Sequence, residues 1–214
     1  MTNQQTMENK KSPAIVFDLG NVLIGWNPRP LFEEIFNNDQ KKVDYFFDNV
    51  CTVEWNEKQD AGRPIAEAVQ ERIALFPEHE EPIRAYYDRW IETISGPIDG
   101  TVEILSQLKE GGHDLSALSN WSAETFPLVE AKYQFLGWFE EKVISGRVGL
   151  KKPDPKIYEL LLEQVGRPAE ECLFIDDSEK NIVAANQLGF DTIHFISPEQ
   201  LRSELEKRSL ITSR

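Results

Sequence analysis

Cysteine is nearly missing from this chain: Cys51 and Cys172 are the only two in 214 residues, far apart and without metal-type spacing. That scarcity disfavours a disulfide framework, and both thiols are expected to be reduced, with Cys172, which opens an apolar run, buried. Histidine is equally sparse, and His79, His113 and His194 share no ligand spacing. No apolar run approaches the roughly 20 residues of a membrane span, and residues 1–11 are polar with no apolar signal core. A soluble, cytoplasmic chain is expected. Positive charge is short: 23 Lys and Arg stand against 37 Asp and Glu, a formal net charge of −14. Such a field repels phosphate polymers and anionic lipid, so neither nucleic acid nor a membrane is an expected partner. The 40% apolar content is enough for one large core or a core carrying an insertion.

Apolar runs at 14–17, 115–118, 173–175 and 192–195, with a shorter one at 143–144, alternate with helical patterns. That alternation predicts an α/β fold: a doubly wound, Rossmann-like parallel sheet with helices on both faces. The stretch 28–95 differs. It has no convincing strand, and Ile65, Ala68, Val69, Ile73 and Phe76 follow one helical face while Ile83, Tyr86, Tyr87, Trp90, Ile91 and Ile94 follow another. The expected division is a disordered tail at 1–12, an α/β core at 13–27 and 96–214, and an inserted all-helical cap at 28–95. Residues 198–214 are expected to form a last, fraying helix.

In an open parallel sheet, ligands bind beyond the carboxyl ends of the strands. The informative polar residues fall there: Asp18 after the first run, Ser119 and Asn120 after the second, and Asp176 and Asp177 after the third. Lys152 precedes Pro153 where a helix begins, with Pro153 suited to its first turn. Carboxylates brought this close repel one another unless a cation holds them, and hard oxygen donors suit magnesium.

Four segments in order, Phe17-Asp18-Leu19-Gly20-Asn21-Val22, Leu118-Ser119-Asn120, Gly149-Leu150-Lys151-Lys152-Pro153-Asp154-Pro155 and Phe174-Ile175-Asp176-Asp177-Ser178, resemble the motifs of the haloacid dehalogenase superfamily. The resemblance extends over nearly the whole chain, helical cap included. It implies hydrolysis of a small phosphorylated metabolite, with Asp18 as nucleophile forming an aspartyl-phosphate. Magnesium would bind Asp18, the Gly20 carbonyl, Asp177 and, directly or through water, Asp176. Ser119 and Asn120 would serve the phosphoryl group, and Lys152 would neutralise charge. Around this centre, Trp26, Arg29, Trp55 and Trp121 are candidate substrate contacts, and Asn56, Glu57, Gln59 and Asp60 resemble a segment that faces the site in capped relatives. A monomer or homodimer is expected.

The pattern is broken at Gly20, where many phosphatases of this superfamily carry a second aspartate that protonates the leaving group and then activates water. Losing such a group costs about 10²- to 10⁴-fold in rate. Asp-Leu-Gly-Asn also resembles the sugar-1-phosphate phosphatase-like branch, so good leaving groups are expected to be preferred. Two alternatives stay open. One is an L-2-haloacid dehalogenase, to which Gly20, Tyr158 and Arg29 point and against which Asp176-Asp177 stands. The other is a non-catalytic module that binds a phosphorylated metabolite.

Overall fold

The computed structural model of the chain describes residues 12–212, so the expected tail, apart from Ser12, lies outside the described residues. Seven strands occur among them: β1 (Ala14–Phe17), β2 (Ile24–Trp26), β3 (Ile94–Pro97), β4 (Leu115–Ser119), β5 (Glu141–Ile144), β6 (Cys172–Asp176) and β7 (Asp191–His194). Five form a parallel sheet in the order β5-β4-β1-β6-β7. Every residue of β1 and β6 is buried, as befits parallel strands covered on both faces. Side chains alternate across the sheet. Ile15 and Phe17 join Leu173 and Ile175 in one core, while Ala14 and Val16 join Cys172 and Phe174 in the other. From β1 the chain builds β4 and β5 on one side and later β6 and β7 on the other, so strand order reverses at β1. The crevice therefore opens beyond the carboxyl ends of β1, β4 and β6.

Between β2 and β3 lie five α-helices: α1 (Arg29–Ile35), α2 (Gln40–Tyr45), α3 (Val53–Asp60), α4 (Ile65–Leu75) and α5 (Glu80–Asp88). Thr52 begins α3 by accepting the Trp55 N–H at 3.2 Å, an amino-terminal cap. These helices enclose a separate core that includes Phe32, Phe46, Trp55, Ile83 and Tyr86. Two features depart from the sequence pattern. The helical face read through Ile94 stops at Asp88. Arg89 leaves the helical region with ψ of 17°, and Thr93 Oγ1 donates to the Trp90 carbonyl at 2.6 Å in a 3₁₀ turn. Beyond it, β3 pairs antiparallel with β2 in a two-stranded ribbon at the base of the helical layer. Strands this short, each interrupted by a glycine, offer no period to read.

The sheet is covered on one face by α6 (Asp99–Glu110) and α7 (Phe126–Glu130). After β5 comes a single turn, α8 (Ser145–Val148); α9 (Pro155–Val165) and α10 (Glu179–Gln187) cover the other face, and α11 (Pro198–Lys207) returns to the first. Leu201 and Leu205 of α11 are fully buried beside α6, which anchors a helix expected to fray. Pro155, not Pro153, occupies the first turn of α9, because Asp154 is the cap and accepts the Lys156 N–H at 3.0 Å.

Candidate active site

Asp18 sits one residue beyond β1 and is 7% exposed. Three donors converge on its Oδ1: the Leu19 N–H at 2.7 Å, Ser119 Oγ at 2.7 Å from the end of β4, and Lys152 Nζ at 3.0 Å. Lys152 is only 1% exposed and also donates to Asp176 Oδ2 at 2.6 Å and to the Leu118 carbonyl at 2.8 Å. Burial would lower the ammonium pKa, but Asp176 and Asp18 outweigh it and hold it above its ordinary value. Asn120 secures this arrangement from the backbone: its Nδ2 donates to the Lys152 carbonyl at 3.0 Å and its Oδ1 accepts the Lys152 N–H at 2.8 Å.

Asp176 ends β6 fully buried, and its carboxylate accepts the Ser178 N–H at 2.7 Å and Asn181 Nδ2 at 3.1 Å. Asp176 thus braces the turn into α10, while Ser178, at the cap position of that helix, makes no side-chain cap bond. Asp177 is exposed beside it, its carbonyl paired with His194 Nε2 at 2.9 Å. One oxygen from each of Asp18, Asp176 and Asp177 lies within 4.8 Å of the others. Burial, with Asp176 and Asp177 adding to it against Lys152 and Ser119, pushes the Asp18 carboxyl up to about 7. Burial and then Asp176 push Asp177 upward too. Three crowded oxygen donors, two of them resisting ionisation, fit a hard divalent cation such as magnesium.

A pocket beside this cluster is lined by Gly20, Trp26, Asn56, Asp60, Tyr87 and Trp90, and closed by Asn120, Trp121, Ser122 and Thr125. Of the four candidate substrate contacts, Trp26 and Trp121 line this pocket. The structure takes Trp55 and Arg29 elsewhere. Trp55 is 1% exposed in the core of the helical layer, edge-on to Tyr86. Arg29 pairs with Asp44 at 2.5 Å and lies over the Phe47 ring, so its charge is already answered on the outer side.

A family model of the haloacid dehalogenase-like hydrolases matches residues 13–189. The chain belongs to that family. The sesquiterpene phosphatase astK of Aspergillus oryzae is 25% identical to this hydrolase over 201 residues, 92% of the chain and 96% of the relative. Drimenol cyclase drtB of Aspergillus calidoustus is 27% identical over 104 residues, 49% of this chain, and the chain spans only 20% of that protein's length. Among solved structures, the HAD family enzyme BT-2542 of Bacteroides thetaiotaomicron, complexed with magnesium and inorganic phosphate, aligns with a TM-score of 0.65 at 23% identity, over 87% of this chain and 95% of its own.

Several pocket residues of this hydrolase carry no motif. Tyr87 and Trp90 come from the helical layer, which folds over the sheet, while Ser122 and Thr125 come from the loop between β4 and α7. That closure is made by specific contacts. Glu57 of α3 binds Lys151 at 2.5 Å and Lys180 at 3.2 Å, and Glu124 accepts the Ile65 N–H at 2.7 Å. Buried Ser145 donates to the Asp60 carbonyl at 2.5 Å and accepts the Trp121 N–H at 2.9 Å. Where α8 packs on the loop after β4, Gly146 is required, since a Cβ would come within 3.0 Å of the backbone of Trp121, Ser122 and Ala123.

Proposed function

We propose that this hydrolase is a magnesium-dependent phosphatase acting on a small phosphate monoester through an aspartyl-phosphate on Asp18. The observation that carries this reading is the distribution of donors on the Asp18 carboxylate. Leu19 N–H, Ser119 and Lys152 all engage Oδ1, and no donor among the described residues engages Oδ2. One oxygen is held while its twin is free to attack. A bond from Oδ2 to phosphorus forms as the bond from phosphorus to the ester oxygen breaks, and water later cleaves the acyl phosphate. Lys152, its charge secured, neutralises the nucleophile and the incoming phosphoryl oxygens. Asn120 positions Lys152 through the paired backbone bonds.

Magnesium held by Asp18, Asp177 and the Gly20 carbonyl, with Asp176 direct or through water, would supply the positive charge that lets a carboxylate approach an anionic phosphate. A phosphatase among the relatives, and a fold neighbour crystallised with magnesium and phosphate, support the same reading. The pocket offers Trp26, Tyr87, Trp90 and Trp121 as faces for a ring and Asn56, Ser122 and Thr125 as partners for hydroxyls. That combination favours a sugar phosphate, sugar 1-phosphates included, as the substrate class. Of the three residues that point to a dehalogenase, Tyr158 and Arg29 are otherwise engaged. Tyr158 is fully buried and donates to the Asn181 carbonyl at 3.0 Å, and Arg29 is paired with Asp44.

A panel of phosphorylated metabolites, assayed with and without chelator, tests the reading. Chelator-sensitive phosphate release is expected, with turnover and phosphoenzyme abolished in Asp18→Asn. Chloride release from 2-chloropropionate, insensitive to chelator, would overturn it.

A further inference from the structure

Gly20 leaves the phosphatase reading without a proton donor for the departing oxygen. Among the residues around the pocket, one carboxylic acid stands outside the Asp18, Asp176 and Asp177 cluster, and it is Asp60. It ends α3 and comes to the pocket from the helical layer, on a wall shared with Gly20, Asn120 and Trp121. Its backbone is pinned by Ser145, as described. Its carboxylate takes a hydrogen bond from the Ser122 backbone and another from Asn56 Nδ2 at 3.2 Å. Asn56 is itself oriented by the Tyr87 hydroxyl, which donates to Asn56 Oδ1 at 3.0 Å and accepts from Gln59 Nε2 at 2.9 Å. This chain of side chains directs a carboxyl group that no salt bridge occupies among the described residues.

We infer that Asp60, carried over the site by the helical layer, is the general acid and base that replaces the residue missing at Gly20. The inference rests on the phosphatase reading. In the first step Asp18 Oδ2 bonds to phosphorus, the ester bond breaks, and the Asp60 proton passes to the departing oxygen. In the second, the Asp60 carboxylate takes a proton from the water that attacks phosphorus, the Asp18 acyl phosphate bond breaks, and inorganic phosphate leaves with Asp60 protonated again. The charged groups facing Asp60 are Glu57 on α3 and Lys151 from the loop before α9, with the neutral hydroxyls of Tyr86 and Tyr87 behind. Burial, then Glu57, against Lys151 and the Ser122 hydrogen bond, pushes Asp60 up to about 7, where both forms needed by the two steps are populated.

The test compares wild type, Asp60→Asn and Asp18→Asn, all with magnesium, on glycerol 2-phosphate, whose alkoxide must be protonated, and acetyl phosphate, whose carboxylate need not be. Asp60→Asn is expected to lose about 10²-fold or more on glycerol 2-phosphate while phosphorylation by acetyl phosphate stays within about threefold. Phosphoenzyme should then accumulate, because attacking water has lost its base, and the wild-type limb near pH 7 in kcat/KM for glycerol 2-phosphate should vanish. A Cβ at Gly20 meets nothing within 4 Å, so Gly20→Asp added to Asp60→Asn should restore glycerol 2-phosphate turnover. The inference is overturned if Asp60→Asn slows both substrates equally without accumulating phosphoenzyme, or slows neither. If wild type lacks chelator-sensitive turnover, or Asp18→Asn retains it, the phosphatase reading itself fails and takes the role of Asp60 with it. Intact behaviour of those two proteins confines any failure to Asp60.

Discussion

Replacing Lys152 by Met keeps the side chain's length and deletes its charge. The lost ammonium serves Asp176 Oδ2 at 2.6 Å, the Leu118 carbonyl at 2.8 Å and Asp18 Oδ1 at 3.0 Å, all where solvent scarcely reaches. Removing one partner from a buried ion pair strands the others and costs about 3–5 kcal/mol. With a urea m-value of about 2 kcal/mol per molar, the midpoint of unfolding should fall by roughly 1.5–2.5 M. Tryptophan fluorescence in urea, with chelator present throughout, measures it at pH 8 and pH 5.5. The direction of the pH effect follows from Asp18, whose carboxyl is raised on folding from 3.8 to about 7, chiefly by burial. A raised carboxyl destabilises the fold when ionised, and that loss is relieved as pH falls through the window between the two values. Lys152 restrains this rise, so in Lys152→Met the carboxyl climbs further and acidification relieves more. The gap between variant and wild type should therefore narrow at pH 5.5. A midpoint within about 0.3 M of wild type at pH 8, or a gap that widens on acidification, would refute the account of the buried triad.

Two other substitutions probe the packing around the pocket and the contacts that close the helical layer over it. Gly146→Ala forces a Cβ into the backbone of 121–123 and should cost about 1–3 kcal/mol in urea unfolding, whereas Gly137→Ala, where a Cβ meets nothing within 4 Å, should cost far less; equal losses would deny the close approach. Glu57→Gln breaks ion pairs to Lys151 and Lys180 whose side chains are 30–59% exposed, so stability should change by about 1 kcal/mol or less. KM should nevertheless rise, and its salt dependence should shrink as the closing contacts weaken. Because Glu57 helps raise Asp60, the same variant should also move the neutral limb of the pH profile to lower pH, read from kcat/KM; an unmoved limb would separate Glu57 from Asp60.

The central strands could be read directly, because a parallel strand covered on both faces must be apolar throughout, as 14–17 and 172–175 are. The cluster of Asp18, Ser119, Lys152 and Asp176 was legible for a related reason: each lies at or just beyond a strand end or in a motif loop at the same edge of the sheet. The ribbon of β2 and β3 was not, since strands of three and four residues carry no periodicity. Aromatic residues were the least legible. Trp26, Trp55 and Trp121 look alike in sequence, yet Trp55 faces the inner core of the helical layer while the other two face the pocket.

From its sequence alone, this protein has an alternating α/β pattern, a helical insertion, an acidic surface and the chemistry-bearing side chains in chain order. These follow from local periodicity and from residue type, which need no knowledge of distant neighbours. Tertiary structure alone decided which groups answer one another. It put three donors on a single oxygen of Asp18, spent Arg29 on Asp44 and Tyr158 on Asn181, and brought Asp60 to the wall beside Gly20. Burial and partnership depend on the packing of segments far apart in the chain, and burial and partnership decide whether a carboxyl group is a cap, a ligand or an acid.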